Sequence, residues 1–271
     1  MADTQPVTFR PLLYHQSVDG FLVIAHRGAS FSYPENTMIA FQKAYEMKAD
    51  MIELDVQLSK EGVPVIYHDT QLESKTDGMG FVNSLTLKEL QKLDAGSWFD
   101  RRFKGHRIPT LEEVLQWAKN KISINIEIKK EAADTGTKGE VERSVIELVR
   151  LAEMEKHVLI SSFSYQSVLR IKKLAPEIST GLLYDSKLSK KKPAELVKTY
   201  QADSFNCKWR ELKRSWRKEL QQKQIPVYIY TVNHPFWMKK LIRSGINGIF
   251  TDKPALLRDV VLNSASNPGS A

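Results

Sequence analysis

Strand-like and helix-like stretches alternate along this chain from residue 22 onward, and this alternation constrains the fold more than any other feature. Eight stretches are typical of short strands, because they are apolar or alternate in polarity and are bounded by turn residues or charge clusters. They span residues 22–26, 51–59, 123–129, 157–163, 179–185, 204–209, 227–232 and 248–252. Helix-compatible stretches separate them. The repeated alternation predicts an α/β fold with a parallel sheet closed as a TIM (β/α)8 barrel.

The interval between the second and third predicted strands is much longer than one helix requires. Residues 63–69 could pair as a hairpin with the second strand. Residues from about 70 to 108 form a predicted insertion between the second strand and its helix, which begins at the Thr110 cap. Because no low-complexity linker divides the chain, we expect a single barrel domain over residues 1–271 with a polar tail at 263–271.

Composition narrows the class of protein. The 271 residues are 42% hydrophobic and 27% charged, as in ordinary globular proteins. Cys207 is the only cysteine, which excludes an internal disulfide and a zinc site built from several cysteines. The N-terminal stretch lacks the pattern of a secretory signal, and no stretch is long and apolar enough to span a membrane. We therefore predict a cytoplasmic protein without stable membrane insertion.

The net charge of +8 favours an anionic partner, whether a phosphate ester, a nucleic acid or a membrane surface. Two stretches, 187–193 and 208–220, are densely basic. The second interleaves Trp209 and Trp216 with cations, a pattern that also occurs in helices lying on membrane surfaces. We favour the interpretation of a solvated helix face whose tryptophan side chains pack inward.

The third predicted strand alternates between apolar and polar residues. Its isoleucines occupy one face, and Asn125, Glu127 and Lys129 occupy the other. A half-exposed antiparallel strand would show the same pattern. In a barrel, however, the isoleucines lie outside beneath the helices, so Glu127 and Lys129 point into the barrel mouth, where barrel enzymes place catalytic residues.

The second predicted strand repeats this arrangement, with Glu53 and Asp55 on its inner face. Together with Glu127 they would place three anions close together, and like charges at such range either raise a pKa or require a cation. A hard divalent cation, Mg²⁺ or Ca²⁺, bound by carboxylate oxygens resolves the conflict. We predict this cation as the cofactor.

Two histidines lie at loop positions around these carboxylates. His26 falls at the end of the first strand, and Arg27 and Gly28 begin the loop that follows, while His68 comes after the second strand. The planar guanidinium of Arg27 suits phosphate oxygens, and paired imidazoles suit proton transfer near neutral pH. With a cation and Lys129 to neutralise charge on phosphoryl oxygens, this set matches the requirements of phosphodiester cleavage.

A series of short motifs resembles the glycerophosphodiester phosphodiesterase family in its bacterial, cytoplasmic-type form. In chain order the motifs are HRG (26–28), PENT (34–37), ELDV (53–56), HD (68–69), SWF (97–99), IPTLEEVL (108–115), IEIK (126–129), SSF (161–163), YTVN (230–233) and TDKP (251–254). One such motif is weak, whereas an ordered series covering residues 21–260 is specific. The family consists of TIM barrels with a small insertion after the second strand, which agrees with the long interval noted above.

The resemblance implies metal-dependent hydrolysis of glycerophosphodiesters, such as glycerophosphocholine or glycerophosphoethanolamine, to sn-glycerol 3-phosphate and an alcohol. It also implies three sets of site residues. They are the acid/base pair His26 and His68, the metal ligands Glu53, Asp55 and Glu127, and the substrate-phosphate contacts Arg27 and Lys129. We favour His26 as the base and His68 as the acid. The reverse order stays open, as does the choice between water and a substrate hydroxyl as nucleophile.

The sequence departs from the family at Tyr230, where the family often has tryptophan, so the aromatic wall near the glycerol could present a hydroxyl. Trp98, Phe99 and Phe163 could line the alcohol side or pack in the core. Two other functions stay open: a lysophospholipase D-type phosphodiesterase acting on membrane-derived lipids, and an inactive phosphodiester-binding protein. We expect a small-molecule phosphodiester partner and no nucleic acid, and the oligomeric state stays open.

Overall fold

A computed structural model describes residues 20–134 and 139–265 of the chain. Its strands are β1 (Leu22–Ala25), β2 (Met51–Leu58), β3 (Pro64–Ile66), β4 (Ser123–Ile128), β5 (Val158–Ser162), β6 (Ser179–Tyr184), β7 (Ser204–Lys208), β8 (Val227–Tyr230) and β9 (Gly248–Thr251). All eight predicted strands are present, and each ends one or two residues before its predicted end. β3 is the additional, ninth strand.

The eight predicted strands form one closed parallel sheet. β1 pairs in parallel with β2 on one side and with β9 on the other, and the remaining strands follow one another in chain order between them. β3 pairs antiparallel with the C-terminal part of β2, with Ile66 opposite Val56, so the predicted hairpin is confirmed. The TIM barrel predicted from the alternation is therefore confirmed.

Helices connect successive strands on the outside of the barrel. They are α1 (Met38–Glu46), α2 (Leu87–Leu90), α3 (Leu111–Ala118), α4 (Lys130–Asp134), α5 (Glu140–Leu151), α6 (Tyr165–Leu174), α7 (Pro193–Tyr200), α8 (Arg214–Gln222), α9 (Pro235–Ile242) and α10 (Pro254–Ala265). Thr110 caps α3 as predicted: its side chain accepts a hydrogen bond from the Glu113 backbone N–H, and the Glu113 carboxylate accepts one from the Thr110 backbone N–H. This reciprocal capping satisfies two backbone donors that the helix leaves unpaired.

The main core lies between the sheet and the surrounding helices. Ile124, Ile126 and Ile128 of β4 are fully buried there, among apolar residues of α3 and α5, so the predicted outward orientation of these isoleucines is confirmed. A smaller apolar cluster, which includes Leu22 and Met51, fills the barrel interior near the N-terminal ends of the strands. The polar residues of β2 and β4 therefore face the open, C-terminal end of the barrel interior.

The long interval between β2 and β4 contains β3, the short helix α2 and two short 3-10 turns before α3 begins. Its apolar residues form a third cluster, in which Tyr67, Leu72 and Val82 are buried. This interval has a small core of its own, and it lies beside the C-terminal end of β2. The insertion predicted between the second strand and its helix is present.

Three other predictions concern the ends of the chain and its basic stretch. α10 continues to Ala265, so residues 263–265 of the predicted polar tail are helical, whereas residues 266–271 and the N-terminal stretch 1–19 lie outside the described residues. Trp209 stacks on Trp237 at 4.2 Å between ring centroids, and Trp216 meets Tyr184 edge-on at 5.8 Å. Both tryptophans pack against the main core, which supports the interpretation of a solvated helix face.

None of the helices in the described part of the chain has the length and apolarity that crossing a membrane requires.

Burial of the β4 isoleucines predicts a large effect of truncation. We expect Ile126→Ala to lower the free energy of unfolding by about 2–5 kcal/mol, because the substitution removes buried methyl groups and leaves a cavity between sheet and helices. Urea denaturation measures the change. Leu151→Ala is the matched control, since Leu151 is 74% exposed, and an equal loss in both variants would contradict the assignment of the core.

Candidate active site

Three carboxylates meet at the C-terminal end of the barrel interior. Glu53 and Asp55 lie on β2 and Glu127 lies on β4, and the parallel register sets Asp55 directly opposite Glu127. One oxygen from each carboxylate lies within 4.8 Å of the others. Glu53 and Asp55 are almost completely buried. The predicted set of three acids is thus brought together as an acid cluster, the name used below for Glu53, Asp55 and Glu127.

Burial and mutual repulsion perturb the titration of this cluster. Desolvation, together with the charge of Asp55, raises the pKa of Glu53 to about 8. Burial alone would also raise the pKa of Asp55, but the positive charges of Lys129 and Arg27 hold it well below its ordinary value. Two neighbouring carboxyl groups with pKa values pushed in opposite directions are typical of a functional site.

Lys129 and Arg27, the two predicted phosphate contacts, both touch the acid cluster. Lys129 Nζ lies 2.8 Å from Glu127 Oε1 and 3.3 Å from Asp55 Oδ1. Arg27 Nε lies 3.2 Å from Asp55 Oδ2. The backbone of Arg27 has a φ of 56°, in the left-handed region, and its N–H donates to Glu53 Oε2 at 2.8 Å. The loop after β1 therefore holds Arg27 in an uncommon conformation against the acid cluster.

A chain of charges links the insertion to this arginine. Arg27 Nη1 donates to Glu35 Oε1 at 2.8 Å, and Lys75 Nζ of the insertion donates to the same oxygen at 2.6 Å. The ammonium of Lys75 also lies 5.3 Å from the ring centroid of Trp98. Glu35 thus has one cation on each side, and Lys75 connects the insertion to the guanidinium that contacts Asp55.

His26, the first predicted histidine, follows β1 and is oriented by Asp252, which follows β9. The His26 Nδ1–H donates to Asp252 Oδ1 at 2.7 Å, and Ser30 Oγ donates to the same carboxylate oxygen at 3.1 Å. Asn233 Nδ2 donates to the other oxygen of Asp252. Burial alone would lower the pKa of His26, but the hydrogen bond to Asp252 and the charge of Glu53 raise it above its ordinary value.

His68, the second predicted histidine, has a similar carboxylate partner. Its Nδ1–H donates to Asp69 Oδ1 at 2.6 Å, and Ser74 Oγ donates to Asp69 Oδ2 at 2.6 Å. Although partial burial would raise the pKa of Asp69, these two hydrogen bonds lower it. Gln57 Nε2, on β2, donates to the backbone carbonyls of His68 and Asp69. These bonds fix the loop that carries His68 against β2.

A cavity of about 210 Å³ opens at this end of the barrel. Both histidines, both predicted phosphate contacts and two members of the acid cluster, Glu53 and Glu127, line it, and aromatic side chains complete its wall. Phe163, Tyr230 and Phe250 are those aromatic residues. Trp98 instead borders the neighbouring cleft beside Lys75, and Phe99 packs against Phe103 at 5.8 Å, so of the three aromatics considered from the sequence only Phe163 lines the cavity.

The expectation that Tyr230 presents a hydroxyl to the cavity is not met. Its hydroxyl donates a hydrogen bond to the backbone carbonyl of Tyr184, the last residue of β6, at 2.5 Å. The hydroxyl is therefore used within the fold. The ring of Tyr230 lines the cavity and meets Phe163 edge-on at 6.1 Å. This tyrosine therefore supplies an apolar wall.

Sequence reasoning missed the residues that orient the site. Asp252 and Asp69 orient the histidines, Asn36 Nδ2 donates to Asp55 Oδ2 at 2.8 Å, and Glu35 pairs with Arg27. All four belong to the motifs TDKP, HD and PENT quoted above, so the signal was present in their position within those motifs. Lys75 lies in the insertion and matches none of the motifs.

The chemistry of the acid cluster fits a divalent cation. Mg²⁺ and Ca²⁺ are hard ions that take carboxylate oxygens, and the cluster supplies such an oxygen from each of three side chains. Its mutual repulsion would be relieved by a bound cation. The acid cluster can therefore hold the predicted cofactor, and its oxygen donors suit either ion.

The profile of the glycerophosphoryl diester phosphodiesterase family matches residues 26–256. The chain belongs to this family. It is 38% identical over 241 residues to a glycerophosphodiester phosphodiesterase from Caldanaerobacter subterraneus subsp. tengcongensis, a match that covers 89% of this chain and 97% of the relative. A glycerophosphodiester phosphodiesterase from Bacillus subtilis is 35% identical over 260 residues, with 90% of this chain and 87% of the relative covered.

Solved structures of similar proteins share the fold. A phosphodiesterase from Oleispira antarctica, solved in complex with the product sn-glycerol-3-phosphate, superposes with a TM-score of 0.78 at 28% identity, covering 88% of this chain and 95% of that one. A glycerophosphodiester phosphodiesterase from Agrobacterium tumefaciens gives a TM-score of 0.78 at 27% identity, covering 88% and 99%. The prediction that this chain is a phosphodiesterase of the family is confirmed.

The contact between His26 and Asp252 predicts a change in titration. We expect Asp252→Asn to lower the pKa of His26, because the substitution removes the carboxylate that stabilises the protonated ring. NMR titration of the His26 ring measures this pKa. An unchanged value would show that Asp252 does not control His26, and Asp259→Asn, an exposed change on α10, is the control.

The same pair makes the stability of the fold depend on pH. The pKa of Asp252 is lowered and the pKa of His26 is raised, so the pair contributes fully between the ordinary pKa of an aspartate and the ordinary pKa of a histidine. Its contribution decreases as the pH falls through the pKa of Asp252 or rises through the pKa of His26. The difference in unfolding free energy between the parent chain and Asp252→Asn should therefore be largest at mildly acidic pH.

Proposed function

We propose that this chain hydrolyses glycerophosphodiesters, such as glycerophosphocholine and glycerophosphoethanolamine, to sn-glycerol 3-phosphate and an alcohol by two-histidine acid/base catalysis that depends on a divalent cation. One observation carries the proposal. His26 and His68, each with its Nδ1 bonded to a carboxylate, line the same cavity as Glu53 and Glu127 of the acid cluster. The relative from Oleispira antarctica, which binds sn-glycerol-3-phosphate as product, supports the choice of substrate class.

The carboxylate partners fix the tautomer of each imidazole. Because a carboxylate only accepts hydrogen bonds, the Nδ1 of His26 and of His68 carries the proton. In a neutral ring the Nε2 is then a base, and in a protonated ring it is an acid. Both rings line the cavity, so both can exchange a proton with a bound substrate.

In the proposed reaction His26 Nε2 takes the proton from the attacking oxygen as that oxygen bonds to phosphorus. The bond from phosphorus to the alcohol oxygen breaks, and protonated His68 gives its Nε2 proton to that oxygen. Asp252 and Asp69 keep the two rings oriented while their charges change. The attacking oxygen belongs to water in direct hydrolysis, or to a glycerol hydroxyl if a cyclic intermediate forms first.

Positively charged side chains around the cavity would offset the negative charge of a bound phosphoryl group. Arg27 and Lys129 lie at its edge, where their charges stabilise phosphoryl oxygens. Glu53, Asp55 and Glu127 would hold the divalent cation, which supplies further Lewis-acid stabilisation when bound. Asn125 Oδ1 is buried, lacks a hydrogen-bond partner among the described residues, and belongs to a residue that lines the cavity, so it is available to accept from a substrate hydroxyl.

Removal of either histidine tests the acid/base assignment. We expect His26→Ala and His68→Ala each to lower kcat by about 10²- to 10⁴-fold, because each removes one proton-transfer group. Release of glycerol 3-phosphate from glycerophosphocholine measures turnover, and circular dichroism checks the fold. His157→Ala, an exposed change at the opposite end of the barrel, is the control. Near-normal turnover in either site variant would remove that histidine from the mechanism.

Chelation tests the metal. We expect a chelator to abolish turnover and Mg²⁺ or Ca²⁺ to restore it. Independently of turnover, metal at about 100 times its Kd should stabilise the parent chain by about 2.7 kcal/mol. Asp55→Asn should lose most of this stabilisation, because Asp55 is a predicted ligand. Equal stabilisation of both chains would place the metal elsewhere.

A substrate panel tests specificity. Glycerophosphodiesters with choline, ethanolamine, inositol and glycerol head groups are compared in one coupled assay, beside a lysophospholipid. Turnover of the soluble diesters supports the proposal. Turnover of the lysophospholipid alone would favour the lysophospholipase D alternative, and no turnover of any compound with metal present would favour an inactive binding protein.

A further inference from the structure

The loops that follow β6, β7 and β8 form one continuous surface at the rim of the barrel. The backbone N–H of Ser186 in the loop after β6 donates to Glu211 Oε1 in the loop after β7 at 2.9 Å. Trp209, also after β7, stacks on Trp237, which lies in the first turn of α9 after β8. Each of these loops is therefore fixed against the next.

The same surface continues across β9 to β1. Asn233, after β8, accepts a hydrogen bond from the backbone N–H of Asp252, after β9, at 2.8 Å. The backbone N–H of Phe31, after β1, donates to the carbonyl of Asp252 at 3.1 Å. We call these five connected loops the basic rim, and it ends beside His26. The basic rim thus lies at the same end of the barrel as the cavity.

Two loops of the basic rim, those after β6 and β7, are strongly positive. Residues 185–192 contain four lysines and one acid, and residues 208–214 contain four cations and one acid. Two of these cations lie over aromatic rings, with the Arg210 guanidinium 4.8 Å from the Trp209 centroid and Lys213 Nζ 5.0 Å from the Trp216 centroid. Both cations are exposed, so their charge faces solvent.

Large apolar side chains are exposed on the same rim. Phe236 is 59% exposed, Phe31 is 60% exposed and Leu188 is 46% exposed. Phe236 lies beside Trp237 at 5.1 Å, and Lys253 Nζ lies 3.8 Å from the centroid of Phe31. A single exposed apolar residue is ordinary, whereas several on one strongly basic surface indicate an interaction site.

We infer that the basic rim docks on the surface of an anionic lipid bilayer. Lysine and arginine beside an anionic bilayer are attracted by its surface potential, and exposed aromatic and leucine side chains enter the interfacial layer. The excess of cations on residues 185–192 and 208–214 is opposite in sign to that potential, so the two attract each other. A nucleic acid would complement the positive charge equally well. It would, however, leave Phe236, Phe31 and Leu188 without an apolar environment.

Docking in this orientation turns the mouth of the cavity toward the lipid head groups, because the cavity and the basic rim share the C-terminal end of the barrel. This association is peripheral and requires no membrane-crossing helix. It is a binding property, so it stands or falls independently of the turnover proposed above.

Sedimentation with lipid vesicles tests the inference. The full chain is mixed with vesicles of phosphatidylcholine alone, or of phosphatidylcholine and phosphatidylglycerol in equal amounts, at physiological salt. We expect binding to the mixed vesicles only. The double variant Arg210→Gln/Lys213→Gln should bind about 30-fold more weakly, since each basic residue near such a surface contributes about 1 kcal/mol. Phe236→Ser should bind about 10-fold more weakly, because it removes apolar area from the contact.

Matched controls lie at the opposite end of the barrel. Lys156→Gln/Arg243→Gln removes two exposed cations there, and Leu151→Ser removes an exposed apolar side chain. Both controls should bind the mixed vesicles as the parent chain does. Every variant should hydrolyse soluble glycerophosphocholine normally, because none of these residues lines the cavity.

Three results would overturn the inference. They are no binding of the parent chain to mixed vesicles, equal weakening by the controls, and binding to heparin or duplex DNA that depends on Arg210 and Lys213 while Phe236→Ser leaves vesicle binding unchanged. The last result would identify a soluble polyanion as the partner. Vesicle binding by a chain that shows no turnover would contradict the proposed function and leave the docking surface supported.

Discussion

Repulsion among three carboxylates, two of them buried and the third partly buried, is the constraint on which the site depends. Glu53, Asp55 and Glu127 come together because neighbouring parallel strands place equivalent positions side by side, and burial strengthens the repulsion between them. Lys129 and Arg27 offset part of this negative charge, and a divalent cation would offset more. In the proposed reaction the same two cations also contact the phosphodiester, so the groups that offset the repulsion within the cluster would also bind the substrate.

Much of the fold was readable from the sequence because period-two alternation and the strand–helix repeat are local signals. The inward direction of Glu53, Asp55 and Glu127 followed from this alternation once a barrel was assumed. The register between β2 and β4 could not be predicted, because the two strands pair across the whole insertion that separates them in the chain. Strand ends were placed too late because residues such as His26 already belong to loops that turn away from the sheet.

The orienting residues were harder to predict for the same reason. Asp252 lies 226 positions from His26, and only closure of the barrel makes them neighbours. The direction of the Tyr230 hydroxyl depends on a backbone carbonyl of β6, which no residue pattern reveals. Lys75 approaches Arg27 only because the insertion packs on its own small core, so its role follows from tertiary structure and not from a motif.

The pairing of β1 with β9 has a consequence for synthesis of the protein. His26 is among the first described residues to leave the ribosome, and Asp252 is among the last. A nascent chain from which β9 has not yet emerged has the other described strands available but cannot yet orient that imidazole. The imidazole of His26 is therefore oriented late, when β9 pairs with β1, and a translation product that stops before β9 lacks the carboxylate of Asp252.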